Sequence, residues 1–378
     1  MKRMNIVIHC AAGLGNLGDE ALLMSFLQRF GQMGNITVLC INADKARKYA
    51  MYDNCLNDTD GRCRKIVREC DVFVLGGGAL FQDETSIYNI YRWGRFLNDA
   101  RKHHKKTMVY ANSIGPLNYR WSRQYVRKIL KEVDAITLRD QKSVEELKNM
   151  GIHHAVLSAD GVFGLSMHPL ERFAVQEEPY VCIALRHWFD CIPFIPVAVC
   201  HKWHIQTKKN AGKYRQFIDV MIKVVDSLNR DFGYRVLFLP FLEERDGKVA
   251  DDIMAGVQNR EKNKIIGEEN FGIWQYFSII RHARLVLGMR LHSVIFAVMC
   301  AVPFIALNYS KKVEDLLAYL GFEEQGTAVE ALSYDKIMDL IRDLEKNRNS
   351  FILQEIQIKE KMQEKELLNK DLFEKLQA

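Results

Sequence analysis

Strand-like apolar runs that end in glycine turns and lead into helix-like stretches recur along most of this chain, and that alternation admits few folds. Residues 5–10 form the first apolar run, which meets the glycine-rich Gly13-Leu14-Gly15-Asn16-Leu17-Gly18, and residues 19–30 follow with helical spacing. Strand signals return at 36–41, at 71–75 before Gly76-Gly77-Gly78, at 107–111 and at 135–138. Helical spacing spans 121–133, and 143–150 before Gly151. Such repetition predicts a parallel sheet covered by helices on both faces. The pattern breaks around 166–179, where Pro169, Pro179 and paired glutamates read as a linker. It restarts with strands at 180–185, 235–240, 285–287 and 303–307 and helices at 214–232, 246–257, 271–282 and 293–300. The prediction is α/β: two Rossmann-like doubly wound domains, 1–168 and 178–334, facing a cleft, with a charged C-terminal helix over 335–378. In that last segment Ile337, Leu340, Ile341 and Leu344 keep helical spacing, so its start is expected to pack on the body and the part beyond Asn349 to be a solvated helix, the alternative being a coiled-coil or dimer contact.

Composition bounds the function. With 378 residues, 48% hydrophobic and 26% charged, the chain is long enough for two cores and is neither disordered nor fibrous. Its 53 basic against 47 acidic residues suit a small anion or an acidic membrane surface, and are too evenly balanced to argue for nucleic acid. Nine scattered cysteines fit a reducing compartment. The N-terminal apolar stretch is too short for a signal peptide, and the apolar run 293–309 is interrupted by Pro303 and too short to span a bilayer, so a cytoplasmic protein is expected. Cys200, His201 and His204 resemble half a metal site but lack a second ligand pair nearby, and no metal is expected.

Three constellations carry the chemistry. The first glycine turn contains Gly-x-Gly-x-x-Gly at a strand-to-helix junction, where backbone amides approach a ligand. Asp19 and Glu20 open the helix, however, and would repel a pyrophosphate, which weakens a dinucleotide reading. The second, Gly76-Gly77-Gly78-Ala79-Leu80-Phe81-Gln82-Asp83, makes a strand-end floor open to a polyol, the bland alternative for Asp83 being a helix cap. Asn16, Asp19, Gln82 and Asp83 supply hydrogen-bonding side chains beside that floor. The third, Gly288-Met289-Arg290-Leu291-His292-Ser293, opens an apolar helix with a cation and an imidazole, which suits binding and protonating a small anion. Arg186 ends the strand 180–185 and is expected on the same cleft.

Gly15-Asn16-Leu17-Gly18-Asp19-Glu20, Gly76-Gly77-Gly78-x-Leu80-Phe81-Gln82-Asp83, Ser113-Ile114-Gly115-Pro116, Arg139-Asp140-x-x-Ser143, Asp160, Ala184-Leu185-Arg186 and Met289-Arg290-Leu291-His292, in this order, resemble the polysaccharide pyruvyl transferase family, most of all its bacterial cell-wall polymer branch. The family's Tyr-Asp-Pro-Lys segment reads Tyr309-Ser310-Lys311-Lys312 here, which keeps the lysine as Lys312 and loses Asp-Pro. The resemblance implies a GT-B-like fold and an enzyme that transfers the carbon skeleton of phosphoenolpyruvate onto two hydroxyls of a sugar, forming a ketal and releasing phosphate. It implies no cofactor and no metal, because phosphoenolpyruvate is a substrate and cations can carry the phosphate charge.

On that reading Arg186, Arg290 and Lys312 bind the donor, Asn16 and Gln82 bind the acceptor, His292 protonates the methylene carbon, and Asp19 or Asp83 accepts a hydroxyl proton or holds the sugar. The expected partners are phosphoenolpyruvate and a glycan acceptor, free or lipid-linked, with peripheral contact to the inner membrane face through 188–200 and the basic run 201–215; an oligomer is compatible with the reading. Two alternatives stay open: a GT-B glycosyltransferase using a nucleotide sugar, for which Glu268-Glu269 is the only candidate ribose contact, and a non-catalytic glycan- or lipid-carrier-binding protein of the same fold.

Overall fold

The computed structural model describes residues 3–167, 178–187, 207–267 and 272–376. Most of the 166–179 linker, the 188–200 segment and the start of the basic run, Cys200 with His201 and His204, and Glu268-Glu269 lie outside the described residues. The chain divides into two compact units, Met1–Met167 with Glu360–Ala378, and His168–Lys359.

The first unit begins with β1 (Met4–His9), α1 (Leu17–Phe30), β2 (Gly34–Cys40), α2 (Ala43–Ala50), β3 (Cys55–Asn57), α3 (Cys63–Glu69), β4 (Val72–Leu75) and β5 (Gly78–Phe81). It continues through α4 (Tyr88–Lys102), β6 (Lys106–Ile114), α5 (Arg120–Leu130), β7 (Ala135–Leu138), α6 (Gln141–Asn149) and β8 (Ala155–Leu157). The sheet order is β3-β2-β1-β4-β6-β7-β8, with β5 paired to β6, and every pairing is parallel. The chain starts at β1, runs outward one way through β2 and returns on the other side of β1 at β4. The strand order therefore reverses between β1 and β4, and the crevice beyond their C-terminal ends is where such sheets take ligands.

The second unit holds β9 (Tyr180–Ala184), α7 (Lys208–Asp231), β10 (Arg235–Phe238), α8 (Glu243–Met254), β11 (Lys264–Ile265), α9 (Ile273–Arg281), β12 (Val286–Gly288), α10 (Leu291–Cys300), β13 (Phe304–Asn308), α11 (Lys311–Leu320), β14 (Gly326–Ala328) and α12 (Tyr334–Lys346). Its order, β11-β10-β9-β12-β13-β14, is again all parallel and reverses between β9 and β12. Both faces of β9 are covered, which explains why Tyr180-Val181-Cys182-Ile183-Ala184 is apolar throughout and does not alternate.

The C-terminal segment differs from a single helix over 335–378 that packs at its start and is solvated beyond. There are two helices, α12 and α13 (Arg348–Lys375). Ile337, Met338, Ile341 and Leu344 of α12 join the core of the second unit. The last nineteen residues belong instead to the first, where Phe373 and Leu376 enter the core beside Phe30, and the Phe373 and Phe30 ring centroids lie 4.5 Å apart. Charged residues dominate the count in this helix; it buries Met362 and Phe373 together with Glu355, Glu366 and Asn369, while Leu353, Ile356, Leu367 and Leu368 stay exposed. Arg29 and Tyr110 hydrogen-bond to Glu366, and Ser158 donates to Asn369 Oδ1 at 2.9 Å. Burial of Glu366 and Asn369 is tolerated because both are partnered.

Candidate functional site

In the first unit the loops after β1 and β4 converge. Gly13 has φ +89°, and a Cβ there would stand 2.2 Å from the Asn42 carbonyl oxygen, so only glycine fits. Its N–H donates to Glu20 Oε1 at 2.6 Å, and Glu20 is fully buried. The loop amide that would greet a phosphate is thus engaged by a carboxylate beneath it, which agrees with reading the Gly-x-Gly-x-x-Gly as something other than a pyrophosphate cradle. Asn16 caps α1 by position and donates its side-chain amide to Asp19 Oδ2 at 2.6 Å. Asp19 is half-buried, and its Oδ1 lies 3.4 Å from where a Cβ on Gly78 would stand, so it bridges the two glycine loops across the strand-order reversal.

Gln82 and Asp83 are built into the loop after β5. Gln82 Oε1 accepts from the Thr85 N–H at 3.0 Å and its Nε2 donates to Thr85 Oγ1 at 2.5 Å. Asp83 is buried, and its carboxylate accepts from the Asn118 N–H (2.8 Å), Asn118 Nδ2 (2.9 Å) and the Tyr119 N–H (3.2 Å). These contacts tie the 82–85 and 116–119 loops together. Farther along the same strand ends, Arg139 donates to Ser113 Oγ (2.7 Å) and Asp160 Oδ2 (2.6 Å), Ser113 donates to Asp140, and Asn112 Nδ2 donates to the Gly76 carbonyl. The polar residues of the 113–160 motifs therefore form one network that braces the glycine floor.

The second unit brings Arg186, Arg290, His292 and Lys312 to the C-terminal ends of β9, β12 and β13, on both sides of its own reversal. Arg290 precedes α10 and is held by Asp246 of α8 through two parallel bonds, Nε to Oδ2 at 2.9 Å and Nη2 to Oδ1 at 2.5 Å. Asp246 is almost fully buried and also accepts the Leu242 N–H. The sequence offered no signal for Asp246, one acid among several opening an ordinary helix. His292 is buried in the first turn of α10, and Lys312 is half-buried at the start of α11.

Arg186 is different. It has no carboxylate partner among the described residues; Nη1 donates to the Tyr309 hydroxyl at 2.8 Å, the guanidinium lies 4.5 Å from the Tyr309 ring centroid, and Nε is buried without a hydrogen-bond partner. In the sequence Tyr309 stands out only as the first residue of Tyr309-Ser310-Lys311-Lys312. Burial pushes its phenol up, but the nearby Arg186 and Arg290 charges outweigh that and bring it below the usual tyrosine range. The arrangement concentrates positive charge at a sheet reversal, with an imidazole beside it. Among the described residues no cluster of three His, Cys, Asp or Glu side chains is placed to hold a metal ion.

Known proteins resemble this chain at two levels. Solved structures share the fold: UDP-GlcNAc 2-epimerase from Neisseria meningitidis, at 10% identity, covers 99% of this chain and 100% of its own with a TM-score of 0.62. MnaA of S. aureus, solved with UDP, matches at 11% identity over 97% of this chain and 91% of its own, with a TM-score of 0.61. These likenesses establish a GT-B-type fold and nothing about chemistry. Among curated proteins, the amylovoran biosynthesis protein AmsJ of Erwinia amylovora is 23% identical over 275 residues, 70% of this chain; the match spans 63% of AmsJ, less than two thirds of that relative. The family described as polysaccharide pyruvyl transferase matches residues 16–311, from Asn16 at the first glycine loop to the opening of α11, and the chain belongs to that family.

Proposed function

We propose that the protein is a transferase of exopolysaccharide or cell-wall polymer synthesis that moves the pyruvyl group of phosphoenolpyruvate onto two hydroxyls of a sugar. The observation that carries this reading is Arg186, a cation without a carboxylate partner among the described residues, at the strand-order reversal of the second unit, with Tyr309 orienting it. A phosphate and a carboxylate on a three-carbon frame demand several cations in fixed directions. Arg186 and Lys312 serve as the principal contacts, and Arg290 is aimed by Asp246.

His292 protonates the methylene carbon, and the cationic carbon that results is attacked by the first sugar hydroxyl, whose proton passes to Asp19. Asp83, already engaged by three donors, braces the acceptor loop alongside Gln82, and Asn16 orients Asp19. The carbon–oxygen bond to phosphate then breaks as the second hydroxyl attacks. Of the two hydroxyl protons, one ends on the new methyl group and the other on phosphate, so the reaction needs no redox partner. Phosphate leaves into the field of the same cations that bound the donor.

The test is phosphate release from phosphoenolpyruvate in the presence of lipid-linked and free saccharide acceptors, set against UDP release from UDP-sugars. Arg186→Ala is expected to raise the KM for phosphoenolpyruvate by about 10- to 100-fold, the value of one charge-assisted contact. His292→Gln is expected to lower kcat by about 10²–10⁴ with little change in KM. UDP release without phosphate release would replace this reading with glycosyl transfer.

A further inference from the structure

The first unit exposes an unusual edge. Ile87, Tyr88, Tyr91, Tyr119 and Trp121 are each between 46% and 73% exposed. Ile87, Tyr88 and Tyr91 stand on one face at the start of α4, at i, i+1 and i+4, and Tyr119 and Trp121 stack at the start of α5 with ring centroids 6.4 Å apart. The two groups are neighbours. Asp83 accepts from Asn118 and Tyr119 on one side, and on the other the Gln82–Thr85–Asn89 bonds carry the chain from Asp83 into α4. The helices themselves pack so closely that a Cβ on Gly94 would stand 2.7 Å from Tyr125 Cε1. Large aromatic side chains gathered in this way on a surface mark an interaction site.

The charge beside them identifies the partner. Arg120, Arg123, Arg127, Lys128 and Lys131 are all exposed on or just beyond α5. Arg123 pairs with Glu146 and Arg127 Nε donates to the Met150 carbonyl, whereas Arg120, Lys128 and Lys131 have no ion-pair partner among the described residues. Trp121 and Lys128, two turns apart, share a face. A neutral glycan chain would stack on the aromatic rings but give these cations nothing to meet. Rings with an apolar body and a polar tip, set beside unpaired cations, fit the headgroup layer of a bilayer with anionic lipids.

We propose that Ile87, Tyr88, Tyr91, Tyr119 and Trp121, together with Arg120, Lys128 and Lys131, dock the first unit onto an anionic membrane surface. The proposal rests on these residues alone and stands or falls independently of pyruvyl transfer. The probe is co-sedimentation of the full chain with phosphatidylcholine vesicles, with and without phosphatidylglycerol. Binding is expected only to the anionic vesicles and is expected to weaken with salt. Arg120→Ser with Lys128→Ser, both at exposed positions, should reduce partitioning by roughly thirtyfold, at about 1 kcal/mol for each cation. Brominated-chain lipids should quench the wild-type tryptophan fluorescence more than that of Trp121→Tyr. Equal binding to neutral vesicles, or undiminished binding by a Tyr88→Ser, Tyr91→Ser, Trp121→Ser variant with a wild-type melting temperature, would overturn the proposal. So would a variant that keeps vesicle binding but loses retention on a polysaccharide gel, which would assign the edge to glycan.

Discussion

Asp58 shows how a single side chain can set the acid limit of a unit. It is buried beyond β3, accepts from Arg92 Nε (2.8 Å) and Nη2 (3.0 Å), and lies 3.2 Å from His9 Nε2 at the end of β1. Burial pushes its carboxyl up, but the hydrogen bonds from His9 and Arg92 prevail and hold it down at about 2. A carboxyl whose folded-state pKa is depressed contributes stability that is complete above its unfolded value, near 4, and is lost as pH falls toward 2. The amount is about 2 kcal/mol. His9, whose charged form is disfavoured by burial above all, adds a separate loss that begins higher, as pH falls through about 6.5. Denaturant titrations of wild type and Asp58→Asn should therefore show a stability gap that shrinks by about 2 kcal/mol between roughly pH 5 and pH 2. A gap independent of pH would show that Asp58 titrates like an ordinary carboxyl.

At the scale of elements, the long apolar runs were legible. The spacing placed the strand at 135–138 where β7 lies and the helix 19–30 within α1, because buried parallel strands and the helices that cover them leave strong periodic signals. Short edge strands such as β3, β8 and β14 were not legible, since three residues carry no period. Nor was α4, whose exposed Tyr88 and Tyr91 obscure the inward stripe of Ile90, Trp93 and Leu97. In the candidate site, Arg186, Arg290 and His292 could be read from their places at strand ends. Asp246 could not, because a bidentate partner 44 residues away leaves no local pattern. The end of α13 escaped for the same reason: its burial is decided by Phe30, Tyr110 and Ser158, all distant in sequence. Phe373→Ala is expected to cost about 3–5 kcal/mol, as for other large buried aromatics. In thermal unfolding that loss should appear in the transition assigned to the first unit, and an unchanged melting profile would place Phe373 outside its core.

For the whole molecule, the same reversal of strand order appears in each unit, and each unit sets a different chemistry beside it: hydrogen-bonding amides and carboxylates in the first, cations in the second. The chain does not complete one unit before it begins the other, because residues Glu360–Ala378 return to the first after the second has been traversed. Synthesis runs from the N-terminus, and domains usually fold in the order they emerge. Here the first unit to emerge is finished only after the second has been made, since Phe373, Glu366 and Asn369 follow it in the chain. Nascent chains arrested just after Lys359 should remain protease-sensitive within residues 3–167, while chains that also carry residues 360–376 should resist. Until residues 360–376 have emerged, the aromatic edge of α4 and α5 belongs to an incomplete body, so membrane docking is expected to wait for that segment rather than accompany synthesis of residues 3–167.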